Sequence, residues 1–324
     1  MRWRFVALDV VLPNNDHGGS RSHCQYCQHH PIALLVALWK VNHPDARPLH
    51  DSRSECRTVS LLQENYMLGT IVGDIYGSVY EKSCTPTRTL PALTAAHRFT
   101  DDTIITLAVA EHLLEETPLK EAFRHWVAHY PNAGYGKLFA AWALGASSEE
   151  LVSWGNGALM RLGPVAALAP DLAHARRMAA DITRSTHGHP SAMQAADAYV
   201  QLHWAALHGA SKDDLLASWQ AGGGSVHGVE AHHASGSPMR VRADDTLEDV
   251  MSCLAESGDI DSLLAACLYH GGDSDTIAAT ACVLGEALWG VPPVRVAAIS
   301  PFLDERVAAA LAQLSDAIGK LKRL

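Results

Sequence analysis

Two short acidic segments, each followed by a long apolar stretch, constrain the fold of this chain more than any other feature. The later segment reads GGDSDT over residues 271–276, and the earlier one reads FTDDT over residues 99–103. The apolar spacing after them predicts one helix over residues 276–289 and another from the earlier aspartates to about residue 114. Carboxylates on a first turn interact favourably with the helix dipole and can cap free N–H groups. Both segments are therefore predicted to begin a helix.

The two segments carry more oxygen ligands than helix capping requires. Capping explains one aspartate per helix, whereas each segment has two aspartates and a threonine, and two glycines precede the later pair. A concentration of hard oxygen ligands without a nearby cysteine suits Mg²⁺, Mn²⁺ or Ca²⁺ rather than zinc. From the spacing alone, capping and metal binding are both open interpretations of these residues.

From residue 67 onward the chain is patterned as a series of helices. Alanine and leucine are abundant and aromatic residues make up only 6%, which favours helix, and no alternating strand pattern is sustained. We predict an all-α fold with one domain over residues 67–324, which is long enough to bury a large core. Further helices are predicted over residues 67–81, 120–129, 137–145, 161–184 (broken near two prolines), 191–208, 246–256, 259–268, 294–299 and from about 303.

The first predicted helix contains three glycines spaced four residues apart. Gly69, Gly73 and Gly77 fall on one helical face, which allows a neighbouring backbone to approach closely. Each glycine inside a helix costs up to about 1 kcal/mol, so three of them imply a packing or ligand reason. Glu81 is predicted to end this helix, where a solvent-exposed acid is the simplest interpretation.

Two turns outside the acidic segments have the character of ligand contacts. Residues 153–157 read Ser-Trp-Gly-Asn-Gly and run into a helix, an arrangement that can present N–H groups to a phosphate but is also an ordinary turn. Trp154 suits either stacking on a base or a place in the core. His187 and His189 would bind a metal only with a third ligand, so a functional or capping histidine is the better interpretation.

Two further polar stretches have plainer interpretations. The glycine-rich stretch over residues 222–238 shows no helical period and is predicted to be a flexible loop. Asp244, Asp245 and Thr246 repeat the Asp-Asp-Thr order of the earlier acidic segment. They lack neighbouring glycines and a preceding threonine, so we interpret them as the cap of the helix over residues 246–256.

Residues 1–66 differ in character from the rest of the chain. They contain six histidines and three cysteines and show no sustained helical period. Cys24 and Cys27 form a CxxC pair beside histidines, but a structural zinc site needs a second ligand pair, which the sequence does not offer. An irregular N-terminal extension and a zinc knuckle are two interpretations. A third is a misassigned reading frame, with the natural start at Met67.

Composition argues against several classes of protein. A net charge of −10 opposes non-specific nucleic-acid binding, which needs basic patches. No apolar run reaches the roughly 20 residues that cross a bilayer, and the eight-residue run at 32–39 lies too far from the start for a signal peptide. Seven scattered cysteines suit a reducing compartment. We therefore predict a cytoplasmic protein with neither a membrane nor nucleic acid as its partner.

Several stretches, taken in order, resemble the ADP-ribosylglycohydrolase family, the relatives of the dinitrogen-reductase-activating glycohydrolase. Residues 67–81, MLGTIVGDIYGSVYE, resemble the opening helix of the family and its active-site glutamate. FTDDT and GGDSDT resemble its two metal-binding signatures. YPNAGYG, SWGNGALMR and STHGHPSA resemble its ligand-pocket segments. The resemblance runs from about Met67 to the C-terminus and does not extend to residues 1–66.

The resemblance implies an all-α fold with two divalent cations, Mg²⁺ or Mn²⁺, in a central cleft. The implied metal ligands are Thr100, Asp101, Asp102, Asp273, Asp275 and Thr276, with Asp275 bridging both ions. The predicted catalytic residues are Glu81, Asp101 and Asp275. The positions that the resemblance implies for binding the ADP-ribose are Ser153, Trp154, Gly155, Asn156, Gly157 and His187.

Two hypotheses about function follow. The first is a metal-dependent hydrolase that removes ADP-ribose from a modified protein side chain or a small acceptor. Two cations would bind the ribose hydroxyls and a water molecule, and the glycosidic bond would break through an oxocarbenium-like state. Glu81 would be a general base, a general acid or an orienting group. The second is a non-catalytic protein that binds ADP-ribose or a protein partner and uses residues 1–66 as a docking arm.

Overall fold

The computed structural model of the chain describes residues 66–147 and 151–322. Within these ranges the chain forms α-helices and no strand, and isolated β-bridges join its loops. The prediction of an all-α fold is confirmed. The helices, numbered in chain order, are α1 (Leu68–Gly77), α2 (Asp101–Glu115), α3 (Leu119–His129), α4 (Lys137–Ala143), α5 (Gly163–Leu168), α6 (Leu172–Arg184), α7 (Pro190–Leu207), α8 (Lys212–Ala221), α9 (Val229–Ala234), α10 (Ala243–Ala255), α11 (Ile260–His270), α12 (Ser274–Trp289), α13 (Pro293–Ile299) and α14 (Glu305–Lys322).

The predictions for residues 1–66 and the prediction that no segment crosses a membrane have different outcomes. The zinc knuckle, the docking arm and the misassigned start concern residues that lie outside the described part of the chain. Among the helices that are described, none combines the length and the apolar character that a bilayer crossing needs.

The helix that follows the later acidic segment, α12, lies at the centre of the fold. Every residue from Ser274 to Gly285 is buried, and α12 packs against α1, α7, α10 and α11. Its sequence beyond the first turn is almost entirely small or apolar, so neighbours can surround it on all sides. The predicted helix is confirmed and begins two residues earlier than predicted.

The three glycines of α1 bring its backbone directly against α12. A Cβ atom built on Gly69 or Gly73 would lie 2.2 Å from a backbone oxygen of α12, and one built on Gly77 would lie 2.3 Å from the Cα atom of Asp275. No side chain fits at such distances, which is the packing reason that three glycines imply. The close contact also fixes Asp74, which lies on the same helix, relative to the acidic segments.

The prediction that Glu81 ends the first helix is wrong. α1 ends at Gly77, and the chain then turns. The N–H of Lys82 donates to the carbonyl oxygen of Gly272 at 2.7 Å, and Ser83 forms an isolated bridge with the same glycine. These contacts with a distant loop replace further helical hydrogen bonds. Glu81 therefore lies in a turn beside the later acidic segment.

The stretch over residues 222–238, predicted to be a flexible loop, contains the short helix α9. Val229 in this helix is buried, and its N–H donates to Oε1 of Glu256 at 2.9 Å. His232 is buried as well. The helix is stabilised by contacts with residues far along the chain, which the pattern of its own six residues does not reveal.

The third Asp-Asp-Thr sequence does not cap its helix. Arg242 is the N-cap residue of α10, and Asp244 and Asp245 lie within the first turn. Asp244 accepts a hydrogen bond from Arg242 at 2.9 Å, and Asp245 accepts one from Arg240 at 3.0 Å. The prediction of a cap is wrong because nearby arginines pair with these carboxylates.

Candidate metal centre

The N-termini of α2 and α12 meet in the middle of the molecule. The hydroxyl of Thr276 on α12 donates to Oδ2 of Asp102 on α2 at 3.2 Å. One carboxylate oxygen each from Asp74, Asp102 and Asp275 lies within 4.8 Å of the others. The two acidic segments, which are more than 170 residues apart in the chain, thus form a single acidic centre.

Asp74 is a member of this centre that the sequence analysis did not single out. Its Oδ2 accepts the N–H of Thr100 at 2.8 Å and the N–H of Thr103 at 3.1 Å. The hydroxyls of the same two threonines donate to its carboxylate as well. Asp74 therefore caps the start of α2 from a neighbouring helix. A lone carboxylate inside an otherwise apolar, glycine-rich helix was the signal that could have identified it.

The acidic centre concentrates negative charge that the protein itself does not neutralise. Burial, followed by the charge of neighbouring carboxylates, raises the pKa of Asp101 to about 7 and the pKa values of Asp102 and Asp275 well above their usual range. Burial also raises the pKa values of Asp74 and Asp273. One carboxylate oxygen of Asp102 is buried and has no hydrogen-bond partner among the described residues. Hard oxygen donors in this state fit a divalent cation of the Mg²⁺ or Mn²⁺ kind.

A glycine pair shapes the loop that presents Asp273. Gly271 and Gly272 have φ angles of +74° and +81°, in a region that residues other than glycine rarely adopt. A Cβ atom on Gly271 would also lie 2.6 Å from the carbonyl oxygen of Ser83. The two glycines therefore allow the chain to turn tightly between α11 and α12, directly before the carboxylates of the later segment.

A buried arginine, Arg161, places one positive charge near the acidic centre. Its Nη1 donates to the hydroxyl of Thr186 at 3.1 Å, and its guanidinium lies 5.3 Å from the ring centre of Phe123. Burial lowers its pKa to about 10, and the charges of Asp101 and Asp102 oppose that shift. Arg161 thus remains charged near neutral pH. Lys82 adds a second positive charge at the rim, beside Glu81. Within the described part of the chain these two cations face six carboxylates, so the centre still favours an added cation.

The Ser-Trp-Gly-Asn-Gly turn lies next to the acidic centre. Nδ2 of Asn156 donates to Oδ2 of Asp273 at 2.6 Å. The turn is fixed on its other side by the N–H of Asn156, which donates to the carbonyl oxygen of Val241 at 2.9 Å. Trp154 is 44% exposed, with Arg242 at 5.7 Å from its ring centre. A half-exposed indole beside the centre is free to stack on a planar ligand.

Comparison with known proteins identifies the family. A family model described as ADP-ribosylglycohydrolase matches residues 64–321. The chain belongs to the ADP-ribosylglycohydrolase family. A solved structure titled "ADP-ribosylglycohydrolase-related protein complex" has a TM-score of 0.59 and 26% sequence identity with the chain, over 81% of this chain and 98% of that one. A search of curated proteins gives no significant match.

Within this ADP-ribosylglycohydrolase fold, His187 lies behind the turn that holds Asn156. Burial and the charge of Arg161 lower the pKa of His187 to about 2, so its ring is neutral. The hydroxyl of Thr186 lies 2.7 Å from its Nδ1. A Cβ atom on Gly157 would lie 3.0 Å from its Nε2. The ring is thus packed tightly against the turn. His189 instead caps α7 by accepting the N–H of Ser191.

Glu81 lies at the edge of the acidic centre rather than inside it. Its side chain is 39% exposed, and Oε1 lies 2.8 Å from Nζ of Lys82. Its charge contributes to the raised pKa values of Asp273 and Asp275, so it lies within electrostatic reach of them. The fold therefore brings together Thr100, Asp101, Asp102, Asp273, Asp275 and Thr276 with Asn156, His187 and, at the rim, Glu81.

Proposed function

We propose that this protein is a metal-dependent hydrolase that cleaves the glycosidic bond between ADP-ribose and a modified acceptor, releasing ADP-ribose. The single observation that carries the proposal is the meeting of two Asp-containing helix N-termini in one buried centre, with pKa values raised by burial and mutual repulsion. Family membership supports the reaction class. A protein side chain is the acceptor that we propose.

The residues that would hold two divalent cations, Mg²⁺ or Mn²⁺, come from both helix N-termini. When bound, the cations would supply Lewis acidity to a water molecule and to the ribose hydroxyls. Asp74 has a different role, because its oxygens already accept hydrogen bonds from the start of α2. It is a positioning residue that fixes this ligand set. The proposed ligands are Thr100, Asp101, Asp102, Asp273, Asp275 and Thr276.

Glu81, Asp101 and Asp275 are the proposed catalytic residues. Glu81 reaches solvent and also feels the charge of the centre, so it can exchange a proton with water and carry it to or from the reacting group. Asp101 and Asp275 are proposed to act through the cations that they would hold, because a carboxylate that binds a divalent cation is deprotonated. The proposal leaves open whether Glu81 acts as base, acid or orienting group.

The turn at residues 153–157 and the neutral His187 would bind the rest of the ADP-ribose. The N–H groups of Ser153, Gly155 and Asn156 already donate to oxygens of the protein, so those of Trp154 and Gly157 are the proposed donors to phosphate oxygens. The exposed face of Trp154 suits an adenine ring or another planar group. Asn156 joins this surface to Asp273 at 2.6 Å. The proposed binding residues are Ser153, Trp154, Gly155, Asn156, Gly157 and His187.

The test is release of free ADP-ribose from a panel of acceptors modified through arginine, serine, other side chains or a nucleic-acid end. Each is assayed with Mg²⁺, with Mn²⁺ and with excess EDTA. We expect metal-dependent release from at least one acceptor. The substitutions Asp273→Ala and Asp275→Ala should each reduce turnover about a hundredfold or more, since the charge stabilisation by a metal is worth several kcal/mol.

A matched control replaces an aspartate that lies on the protein surface. Asp213 lies exposed on α8, away from the ligand set, and Asp213→Ala should leave turnover unchanged. Retained turnover in Asp275→Ala would contradict the metal mechanism. Binding of ADP-ribose in calorimetry without release from any acceptor would favour the second hypothesis, a binding protein.

A further inference from the structure

A second group of metal-ligand side chains lies outside the acidic centre. His227, His232, Asp249 and His270 each offer one ligand atom, and these four atoms lie within 4.8 Å of one another. They come from three places in the fold, namely the α9 stretch (residues 222–238), helix α10 and the last residue of α11. None of them belongs to the proposed hydrolase site, so any role for this cluster is independent of that proposal.

Hydrogen bonds on the outer side of two rings turn their other nitrogens inward. The hydroxyl of Ser252 donates to the carbonyl oxygen of Glu248 at 2.7 Å, so it can accept the Nδ1–H of His227 at 3.2 Å. The carbonyl oxygen of Gly271 can only accept, and it lies 3.1 Å from Nδ1 of His270. Both rings therefore carry hydrogen on Nδ1. Such outer hydrogen bonds are typical of histidines that bind a metal through Nε2.

The inward-facing atoms form an arrangement that is incomplete without a positive charge. Nε2 of His227 lies 3.2 Å from Nε2 of His270, and Oδ1 of Asp249 lies 3.4 and 3.5 Å from the two nitrogens. Two neutral rings would point lone pairs at each other, so either a shared proton or a cation is needed between them. Nε2 of His232 and Oδ2 of Asp249 are buried, and within residues 66–147 and 151–322 neither has a hydrogen-bond partner.

An arginine accounts for only part of the charge around the cluster. Nη1 of Arg240 contacts Oδ1 of Asp249, while its Nη2 lies 3.0 Å from Asp245 and 2.8 Å from Glu248. One guanidinium is thus shared by three carboxylates, and the second oxygen of Asp249 stays unpaired. A purely hydrogen-bonded network would leave that oxygen and the nitrogen of His232 unsatisfied, which is costly for buried groups.

We propose that His227, His232, Asp249 and His270 form a structural site for one transition-metal ion of the zinc class. Three imidazoles and one carboxylate suit Zn²⁺ or a similar ion, whereas Mg²⁺ and Mn²⁺ prefer oxygen ligands. The ring of His232 stacks on that of His270 at 3.7 Å between centres. To become the fourth ligand, this ring would have to turn out of the stack. His227 is the most exposed ligand, at 29%, and marks the entry path.

Such an ion would tie the α9 stretch to the loop that leads into the acidic centre. His270 directly precedes Gly271 and Gly272. A Cβ atom on Gly271 would lie 2.9 Å from Cβ of Ser237, and one on Gly272 would lie 3.0 Å from the carbonyl oxygen of Pro238. The α9 stretch therefore packs over this glycine pair. Metal bound at the histidine cluster would hold that packing in place.

The test uses Co²⁺ as a spectroscopic probe of the full-length protein. Cys24→Ser and Cys27→Ser are introduced first, so that the N-terminal CxxC pair does not contribute, and Mg²⁺ in large excess occupies the acidic centre. We expect one Co²⁺ per chain with the visible absorption of a four-coordinate site and without a sulfur charge-transfer band. Zn²⁺ should displace it and raise the thermal midpoint. His227→Ala should abolish the absorption and weaken Zn²⁺ binding at least tenfold.

Two further variants keep the result interpretable. His208→Ala removes an exposed histidine elsewhere and should leave the Co²⁺ spectrum unchanged. Arg240→Gln removes the competitor for Asp249 and should preserve or strengthen Co²⁺ binding. The proposal is overturned if the parent shows no four-coordinate spectrum. It is also overturned if folded His227→Ala, checked by circular dichroism, binds Co²⁺ as the parent does.

Discussion

A single amide side chain, that of Asn156, joins the proposed nucleotide-binding turn to the acidic centre. Its Nδ2 donates to Oδ2 of Asp273 at 2.6 Å, and both groups are buried. The hydrogen bond fixes the position of one carboxylate oxygen of Asp273. Residues that orient metal ligands in this way usually affect metal affinity nearly as strongly as the ligands themselves.

Replacing Asn156→Ala should therefore weaken binding of Mn²⁺ about 10- to 100-fold, because Asp273 loses the group that orients it. The measurement is calorimetric titration of the metal-free protein with Mn²⁺. Gln220→Ala, which removes an exposed amide on α8, is the control and should bind as the parent does. An affinity in Asn156→Ala equal to that of the control would show that the hydrogen bond does not position the ligand.

At the scale of secondary-structure elements, the contact between α1 and α12 depends on close packing of the two helix backbones. Gly73→Ala would place a methyl group 2.2 Å from the carbonyl oxygen of Ala278. Because both partners are helix backbone, the helices must separate, and we expect a loss of about 3 kcal/mol or more in the free energy of unfolding. Urea denaturation measures this loss in the free energy of unfolding. Gly258→Ala, where nothing lies within 4 Å of the new atom, is the control. Equal stability of both variants would contradict the packing argument.

A half-buried carboxylate on α12 also caps the start of α1. Oε1 and Oε2 of Glu286 accept the N–H groups of Leu68 and Gly69 at 3.2 and 2.7 Å. Burial nevertheless raises the pKa of Glu286 from its usual 4.5 to about 7. The folded state thus favours the protonated acid. The stabilising contribution of this group is full below about pH 4.5 and is lost as the pH rises through 7.

Glu286→Gln should remove this pH dependence, since an amide imitates the neutral acid at every pH. Between pH 4.5 and 8 the parent should lose about 3 kcal/mol of unfolding free energy relative to the variant, at about 1.4 kcal/mol per pKa unit. Urea denaturation at a series of pH values measures the difference, and other titrating groups cancel in it. A difference between the two proteins that does not change with pH would contradict the raised pKa.

At the scale of the whole molecule, the acidic centre makes stability depend on pH and on metal. Five carboxylates with raised pKa values favour the protonated form in the folded protein. Their stabilising contribution is therefore present at low pH and lost as the pH rises through the folded pKa, which is about 7 for Asp101. A divalent cation would replace the missing protons as the counter-charge.

In EDTA, the melting temperature should fall as the pH rises from about 5 to 8, and Mg²⁺ or Mn²⁺ should reverse the fall. At a hundredfold excess over the dissociation constant, the metal adds about 2.7 kcal/mol, which is roughly 5 to 10 °C for a domain of this size. Differential scanning fluorimetry measures the shift. A metal-induced shift of equal size at both pH values would contradict the link between the raised pKa values and the metal.

The sequence by itself determined the helical class, the course of α2 and α12 and the glycine face of α1. These features depend on interactions between residues within a few positions of each other, such as periodic burial and capping by Thr100 of its own helix. The ligand set of the acidic centre was predicted only through the resemblance of several segments to one family. Local spacing alone left capping and metal binding equally open at these residues.

Only the tertiary structure decided which side chains meet. Asp74 lies 26 residues from Thr100, Asn156 lies 117 residues from Asp273, and His227 lies 43 residues from His270. The position of Glu81 in a turn depends likewise on a hydrogen bond between Lys82 and Gly272. Burial, charge repulsion and the shifts in pKa arise from such distant contacts, and no local pattern encodes them. Which side chains form the two clusters is therefore decided by how the helices pack together.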